Sequence, residues 1–389
     1  MKTTASNPIK QQSGASDPNL AIFLRNNESF LRRLQKIRWL LRCNPRFRAL
    51  YAAYDASSED EEKNRACAAI LDAFQETLPW HAYVWIRCWM QDAMLLCRQF
   101  GKRTTIDRSD RTHRDTYSVA VIVKNEARYL REWILFYRAT GTERIYLYDN
   151  DSTDGLLDTI APFIKTGFVV YRRWPGKKVQ AAAYRDAIRR SRRRTKWLAL
   201  IDADEFLFSP RGDMREQLMA YAAYPGVIVS WLLFGPNGHD RRPEGLVMDR
   251  YTTRVPSPDS PMNCHAKSIV QPRQVFCMYS VHYALYRGRQ YAVNERKEIS
   301  GNYSAFIEGG GRAFTATNYR DVFRINHYST KSLEDLEQKC KRGYPDGTPN
   351  AVLSEQLRPF AEPLIEDATI RPYADAVRKE YPDRTAPTQ

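Results

Sequence analysis

Trp197-Leu198-Ala199-Leu200-Ile201-Asp202-Ala203-Asp204-Glu205 is the stretch from which the rest of the chain can be read. Five apolar residues closed by three acids match a short strand buried on both faces of a largely parallel sheet. Side chains at i and i+2 of an extended segment share a face, so Asp202 and Asp204 can serve one ligand if the extended geometry persists that far. In open α/β sheets ligands sit at the carboxyl ends of the strands, where this pair falls. Two carboxylates there suit a hard divalent cation, and such a cation suits a phosphorylated substrate. A solvated strand end with capping acids is the competing reading of the run alone.

The flanking sequence alternates in the same sense. Tyr117 to Val123, Arg144 to Tyr148 and Val169 to Arg172 read as strands. Ala127 to Thr140, Leu156 to Thr166 and Gln180 to Arg194 read as helices between them. Strict alternation indicates βαβ units, hence an α/β fold with a Rossmann-type sheet flanked by helices. After Asp204 the alternation loosens into a region rich in Gly, Pro and turns, with a strand expected over Gly226 to Phe234. A helix follows over Ser332 to Arg342, with Ser332 and Asp335 spaced as a cap.

Upstream the pattern changes. Residues 1–18 are polar and expected to be a disordered leader. From 19 to 115 the apolar spacing is helical, giving an α-helical N-terminal extension that ends in the polar stretch Gly101 to Thr116. The core domain is expected over 116–345, with a helical or irregular tail over 346–389. Between 31 and 50 lie seven basic residues and no acid. Such a helix either packs on its own domain with a solvated basic face or touches an anionic membrane peripherally.

Composition narrows the classes. The 389 residues are 43% apolar with 23 tyrosines, a folded globular composition. No run approaches the roughly 18 apolar residues that span a bilayer, and Met1 to Asn19 has no signal-peptide core. The seven scattered cysteines form no CxxC pair, so a reducing cytoplasm is expected. A net charge of +15 implies an anionic partner. No zinc spacing, RNP-like motif or recognition helix accompanies it, so nucleic acid is not expected.

Two more polar clusters precede the acidic run. Lys124-Asn125-Glu126 ends the first strand of the alternation, and Asp149-Asn150-Asp151-Ser152-Thr153-Asp154-Gly155 ends the second. Each alone fits a turn and helix cap; together they fit a nucleoside pocket. From Arg172 to Lys196 eleven basic residues face one acid, Asp186. This can be a wall against a diphosphate, with Arg185 one turn beyond Gln180 facing the donor, while Arg189 to Arg194 face solvent.

These segments resemble the opening of GT-A glycosyltransferases, and most of all glycosyltransferase family 92 with its family 2-like bacterial relatives. The likeness extends over about 117–345. It rests on Lys124-Asn125-Glu126 with Tyr129-Leu130-x-Glu132-Trp133, Tyr148-Asp149-Asn150-Asp151-Ser152-x-Asp154-Gly155, and the DxD-like Asp202-Ala203-Asp204-Glu205-Phe206. Trp231-x-x-Phe234-Gly235-x-Asn237-Gly238-His239, Lys267-Ser268-Ile269-Val270 with His282, and Asn326-His327-Tyr328-x-x-Lys331-Ser332 running to Lys339 and Arg342-Gly343 complete it. The resemblance implies a nucleotide-sugar donor, commonly a UDP-sugar, a glycan or glycoconjugate acceptor, and Mn2+ or Mg2+. Asp149, Asn150 and Asp151 would contact the nucleoside, Asp202 the ribose or the metal, and Asp204 the metal. His327 would complete the metal shell, with His282 as competitor. It also suggests inversion, with a base in the acceptor half: Asp240 first, then Glu244, Glu308 or His239. A nucleotidyltransferase would share the acidic pair but needs a Gly-rich basic first loop, which Lys124-Asn125-Glu126 is not.

Overall fold

The computed structural model describes residues 45–56, 62, 105–106 and 115–381, the last span with gaps at 257–262, 264, 279–280, 283, 288–291, 299–318 and 343–352. The chain divides into two compact units, residues 1–77 with 306–311 and residues 78–305 with 312–389. In the first unit the description covers one helix, α1 (Pro45–Ala56), which opens on proline at its first turn, where no amide hydrogen bond is lost. The expected leader, most of the expected helical extension and residues 31–44 of the basic segment lie outside the described residues.

The second unit is built on a nine-stranded mixed sheet. Its parallel half is β2 (Asp115–Val123), β3 (Arg144–Asp149), β4 (Val169–Arg173) and β5 (Thr195–Leu200), in the spatial order β4-β3-β2-β5. The two-residue β1 (Thr105–Ile106) edges β4 antiparallel. Beyond β5 the sheet runs through β9 (Ala266–Val270), β7 (Gly226–Leu233), β12 (Arg324–His327) and β6 (Glu205–Phe208). In this second half β9 is antiparallel to both neighbours, β12 is parallel to β7, and β6 is antiparallel to β12. All six residues of β3 and all eight of β7 are buried, as strands covered on both faces must be. Four short strands stand outside this order or at its margin: β8 (Thr253–Arg254) pairs with β13 (Ile365–Glu366), and β10 (Val275–Met278) with β11 (Ala284–Tyr286).

Helices cover the faces. α2 (Ala127–Ala139) buries Leu130, Trp133, Ile134, Phe136 and Tyr137, a helical face that seats it on the sheet. α3 (Leu156–Lys165) starts after Gly155, whose φ of 77° is a left-handed entry that glycine adopts without a Cβ penalty. α4 (Gln180–Ser191) precedes β5. Shorter turns follow at α5 (Met214–Met219) and α6 (Val247–Arg250). α7 (Leu333–Arg342) has the expected cap: the Asp335 amide donates to Ser332 Oγ at 3.1 Å, and Ser332 Oγ donates back to the Asp335 carboxylate at 2.6 Å. α8 (Leu353–Leu357) and α9 (Arg371–Glu380) end the description.

The α/β class, the mixed sheet and the flanking helices are as expected, with two departures in detail. The polar stretch read as a boundary supplies β1 and the first residues of β2. The region after 345 does not end the packing: Ile370, Ala374 and Val377 of the last helical segment are buried in the same core as α2. Among the described residues no helix is long and apolar enough to cross a membrane.

Candidate active site

The two polar loops at the ends of β2 and β3 are stitched together. Asn125 has a φ of 53°, and its side-chain oxygen accepts the Thr153 amide at 2.8 Å while its own amide donates to Ser152 Oγ at 2.9 Å. The Ala127 amide, at the start of α2, donates to Asp154 at 2.8 Å. The paired clusters foreseen in the sequence therefore form one rim, on which Lys124, Asn125 and Glu126 stay partly or fully exposed. Asp149 and Asn150 are placed differently from the expected nucleoside contacts. Both Asp149 oxygens are engaged, one by the Ser152 amide at 2.9 Å and one by the Tyr171 hydroxyl at 2.8 Å. Buried Asn150 donates to the Trp174 and Gly176 carbonyls, each at 2.9 Å. These two hold the loop in shape. Asp151 is more open and pairs with Arg173 at 2.7 Å.

β5 ends at Leu200, and the acidic run turns the chain into β6. Asp202 is gripped from three sides: Oδ1 accepts Gln180 Nε2 at 2.6 Å and the Tyr184 hydroxyl at 2.8 Å, and Oδ2 meets Lys267 Nζ at 2.6 Å. Burial alone would raise its carboxyl, but the Lys267 ammonium holds it below the ordinary carboxylate range. Gln180, expected to face the donor, instead orients Asp202. Glu205 is wholly buried; desolvation pushes its carboxyl up to about 8 even with Lys267 Nζ at 3.6 Å. Its backbone carbonyl accepts Trp133 Nε1 and the Tyr137 hydroxyl, both at 3.0 Å. The Glu132-Trp133 motif is thus scaffolding: Trp133 holds this turn, and Glu132 accepts the Val247 and Met248 amides at 2.9 and 3.2 Å.

Asp204 faces the other way. Its Oδ1 lies 3.5 Å from His327 Nε2 at the end of β12, and its Oδ2 accepts Lys339 Nζ of α7 at 2.6 Å. Burial opposes its ionisation, but Lys339, His327 and Lys331 together hold it well below the usual range. The Tyr328 amide donates to the Asp204 carbonyl at 2.8 Å, which locks the two chain segments in register. His282 belongs to a neighbouring group: its Nδ1 lies 3.0 Å from the Ala266 carbonyl, and its ring joins His265 and His327 around Trp231. Burial, reinforced by Lys267, lowers His282 to about 4, so it is neutral at physiological pH.

The expected three-ligand set of Asp202, Asp204 and His327 is not brought together. Among the described residues no group of three or more His, Cys, Asp or Glu side chains is arranged to hold a metal ion. Asp204 and His327 alone converge, and His327 Nδ1 is buried with no hydrogen-bond partner among the described residues. One carboxylate and one imidazole fit a hard cation that draws the rest of its shell from substrate phosphate and water.

The model of glycosyltransferase family 92 matches residues 114–379, most of the chain and the whole of this site. The chain belongs to glycosyltransferase family 92. A family 92 protein of Oryza sativa subsp. japonica is 33% identical over 159 residues, covering 40% of this chain and 26% of that protein. One of Ricinus communis is 28% identical over 267 residues, covering 64% of this chain and 44% of the relative. The chain therefore spans less than half of these curated relatives. Among solved structures it is similar to S. aureus TarS 1–349, at 12% identity, 63% and 69% coverage and a TM-score of 0.29. It is also similar to the mannosyltransferase PcManGT from Pyrobaculum calidifontis in complex with GDP-Man and Mn2+, at 13% identity, 79% and 87% coverage and a TM-score of 0.30.

Other sequence expectations for this family 92 chain resolve as follows. Asp240 is exposed on the loop docked against α7, where its carbonyl accepts the Glu334 amide at 3.0 Å. The His239 ring lies 3.3 Å from the Arg250 carbonyl and edge-on to Tyr251, a loop-holding position. Glu244 is exposed and pairs with Arg128 at 3.1 Å; Glu308 lies outside the described residues. Arg185 donates to the Met278 carbonyl at 3.0 Å, so this contact turns it toward β10. Part of the basic wall is engaged within the fold: buried Asp186 gathers Arg172, Arg189 and Arg190, and Asp115 pairs with Arg194 and with Arg144 of β3. Only Arg189 and Arg193 of the 189–194 run are fully exposed, against the expected solvated face. Three partners of the acids had no role assigned from sequence: Tyr184, Lys267 and Lys339. Lys267 carried a signal, being the one charge in a wholly buried apolar strand.

Proposed function

We propose that this family 92 chain is a metal-dependent glycosyltransferase that moves a sugar from a nucleotide-sugar donor, a UDP-sugar first, to a glycan hydroxyl with inversion. The observation that carries this reading is the junction at Asp204, a carboxylate just past the end of β5 that faces His327 and is tied through Lys339 to the cavity lined by the rim residues Asn125 and Glu126. Family membership supports sugar transfer, and the two-donor convergence supports a cation bound together with a diphosphate. Asp204 and His327 would hold Mn2+ or Mg2+. When bound, that ion offsets the negative charge that develops on the departing diphosphate.

The remaining roles belong to the chain. The exposed rim residues Lys124, Asn125 and Glu126 receive the nucleoside, with Asp151 at its margin. Asp202, fixed by Gln180, Tyr184 and Lys267, offers a rigid acceptor to a ribose hydroxyl. The acceptor proton passes to Asp240, whose exposed carboxylate sits on the loop that docks onto the helix carrying Lys339. The internal pairing of the basic run gives no support to a nucleic-acid reading.

Turnover of UDP- and GDP-sugars with and without Mn2+ tests this. Asp204→Ala is expected to lower turnover by roughly 100-fold or more, the usual cost of removing a charge-stabilising group. Asp240→Asn should lose acceptor-dependent turnover at least tenfold. Activity that survives both EDTA and Asp204→Ala would sink the metal mechanism; unchanged turnover in Asp240→Asn would remove that base.

A further inference from the structure

We propose that Lys331 and Lys339 form a cationic clamp for the diphosphate of the departing nucleotide, a role that rests on the donor chemistry proposed above. A cavity of about 370 Å3 is lined by the rim residues Asn125 and Glu126, by Tyr129, Asp154, Ser329 and Asp335, and by these two lysines, of which Lys339 also touches Asp204. Its size suits a small polar ligand or the phosphate end of a larger one.

The cations in its wall are of two kinds. The arginines have close carboxylate partners: Arg242 Nε lies 2.6 Å from Asp335, and Arg128 meets Glu244 at 3.1 Å. Lys331 is bound more loosely. The residue is 6% exposed, yet the nearest acid recorded for its ammonium is Glu126 at 3.8 Å, beyond hydrogen-bond length. The ammonium lies 4.6 Å from the centre of the Tyr129 ring, which gives it a cation–π contact but no hydrogen bond. An ammonium held this way can still take an anionic hydrogen-bond partner from the cavity.

The backbone points the same way. Lys331 has a φ of 51°, a left-handed conformation that a lysine adopts only when its surroundings enforce it. They do so here from both ends. The Tyr328 amide is tied to the Asp204 carbonyl, and Ser332 is tied into the cap of α7. The three residues between must turn tightly, and Lys331 is delivered into the cavity wall. Lys339, two turns along α7, reaches the same place, with Nζ 2.6 Å from Asp204 Oδ2 and 3.0 Å from the Ser329 carbonyl.

The electron balance of the transfer defines what the clamp does. The anomeric C–O bond breaks and its electron pair stays on the diphosphate oxygen. The acceptor oxygen bonds to the anomeric carbon, and its proton goes to the base. One extra negative charge therefore accumulates on the diphosphate, and two ammonium groups at the cavity wall meet it. Lys339, paired with Asp204, exchanges that partner for a phosphate oxygen when the donor enters.

Nucleotide binding by the full chain, with Mn2+ present, provides the test. Dissociation constants for UDP and UMP, or GDP and GMP if the guanine pair binds the wild type more tightly, are measured for the wild type, Lys331→Met, Lys331→Arg and Lys339→Met. The clamp predicts that each methionine variant weakens the diphosphate roughly 10- to 100-fold, the range for a lost hydrogen bond between charged groups. Monophosphate binding should stay within about threefold, and Lys331→Arg should recover most of the loss. Thermal midpoints within a few degrees of wild type establish that each variant is folded. Folded Lys331→Met and Lys339→Met that both bind the diphosphate as the wild type does would overturn the clamp and leave the glycosyltransferase reading standing. Equal loss of monophosphate and diphosphate would also overturn it. A wild type that binds no nucleotide at all would remove both.

Discussion

Asp367 shows how one buried charge ties the end of the chain to the sheet. Its carboxylate meets Arg254 of β8 at 2.6 Å and Arg324 of β12 at 2.7 Å, and Thr369 donates to it at 2.8 Å. Burial would raise its carboxyl, but the Arg324 and Arg254 guanidiniums pull it down to about 2. The ionised form is the one the fold favours, so this stabilisation is complete above about pH 4 and fades as pH falls through 2. Asp367→Asn should therefore lower unfolding free energy by about 2 kcal/mol at pH 7, and by much less near pH 2. Urea melts at the two pH values check this; an equal loss at both would mean the effect is packing and not charge. Asp367 could not be picked out from the sequence, because its partners lie over 40 and over 110 positions away. The acids at 202 and 204 were legible because strand end and spacing are local features. Lys267 was visible as an anomaly, one lysine in a buried strand, but its pairing across 65 positions was not.

Among elements, α9 was the one read least well. Residues beyond 345 looked like a tail because their apolar content is sparse and broken by arginine. The structure uses what little there is. Tyr373 packs edge-on against Phe136 and Phe208 at 5.6 and 5.4 Å, and its hydroxyl donates to the Ser209 and Gly212 carbonyls at 2.9 and 3.0 Å. Phe136 belongs to α2 and Phe208 to β6, so this ring staples the helix that supports the acidic turn to the strand that leaves it. Tyr373→Ala should cost about 2 kcal/mol, below the range for truncating a fully buried aromatic because the ring is only partly buried. Because α2 also holds the Glu205 carbonyl through Trp133 and Tyr137, nucleotide binding should weaken together with stability in this variant. Denaturation and UDP titration of the same sample measure both. A loss under about 1 kcal/mol would show that the helix is only draped on the surface. The β2–β5 alternation was legible because strand and helix periods differ and each segment is long enough to show one. β6 was not, since four residues directly after an acidic run display no period.

At the scale of the molecule, the site lies where two halves of one sheet meet. The parallel half ends in the rim loops; the other half brings His327 on β12 and Lys267 on β9 to the same acidic turn. The order β9-β7-β12-β6 could not be read in advance, because β12 returns across some ninety residues to lie between β7 and β6. The net charge of +15 suggested an anionic partner without locating it, and the salt bridges show part of the reason: four of the eleven basic residues from 172 to 196 pair with Asp186 or Asp115. What this leaves at the site is the pair Asp204 and His327, the proposed cation ligands, with Lys339 in contact with the same carboxylate. A divalent ion with two protein ligands should bind weakly alone, and a diphosphate should bind weakly while Lys339 is still engaged by Asp204. Each supplies what the other lacks, so their binding should be coupled. Mn2+ alone is expected to shift the thermal midpoint by less than about 1 °C. Saturating UDP with Mn2+ at about 100 times its dissociation constant should add about 2.7 kcal/mol, or roughly 5–10 °C for a domain of this size. Asp204→Ala should abolish the increment of the pair over UDP alone. Calorimetric scans of the four combinations decide it. A shift with Mn2+ alone as large as with both would mean a preformed metal site; a shift with UDP alone as large as with both would mean that the lysines suffice without an ion.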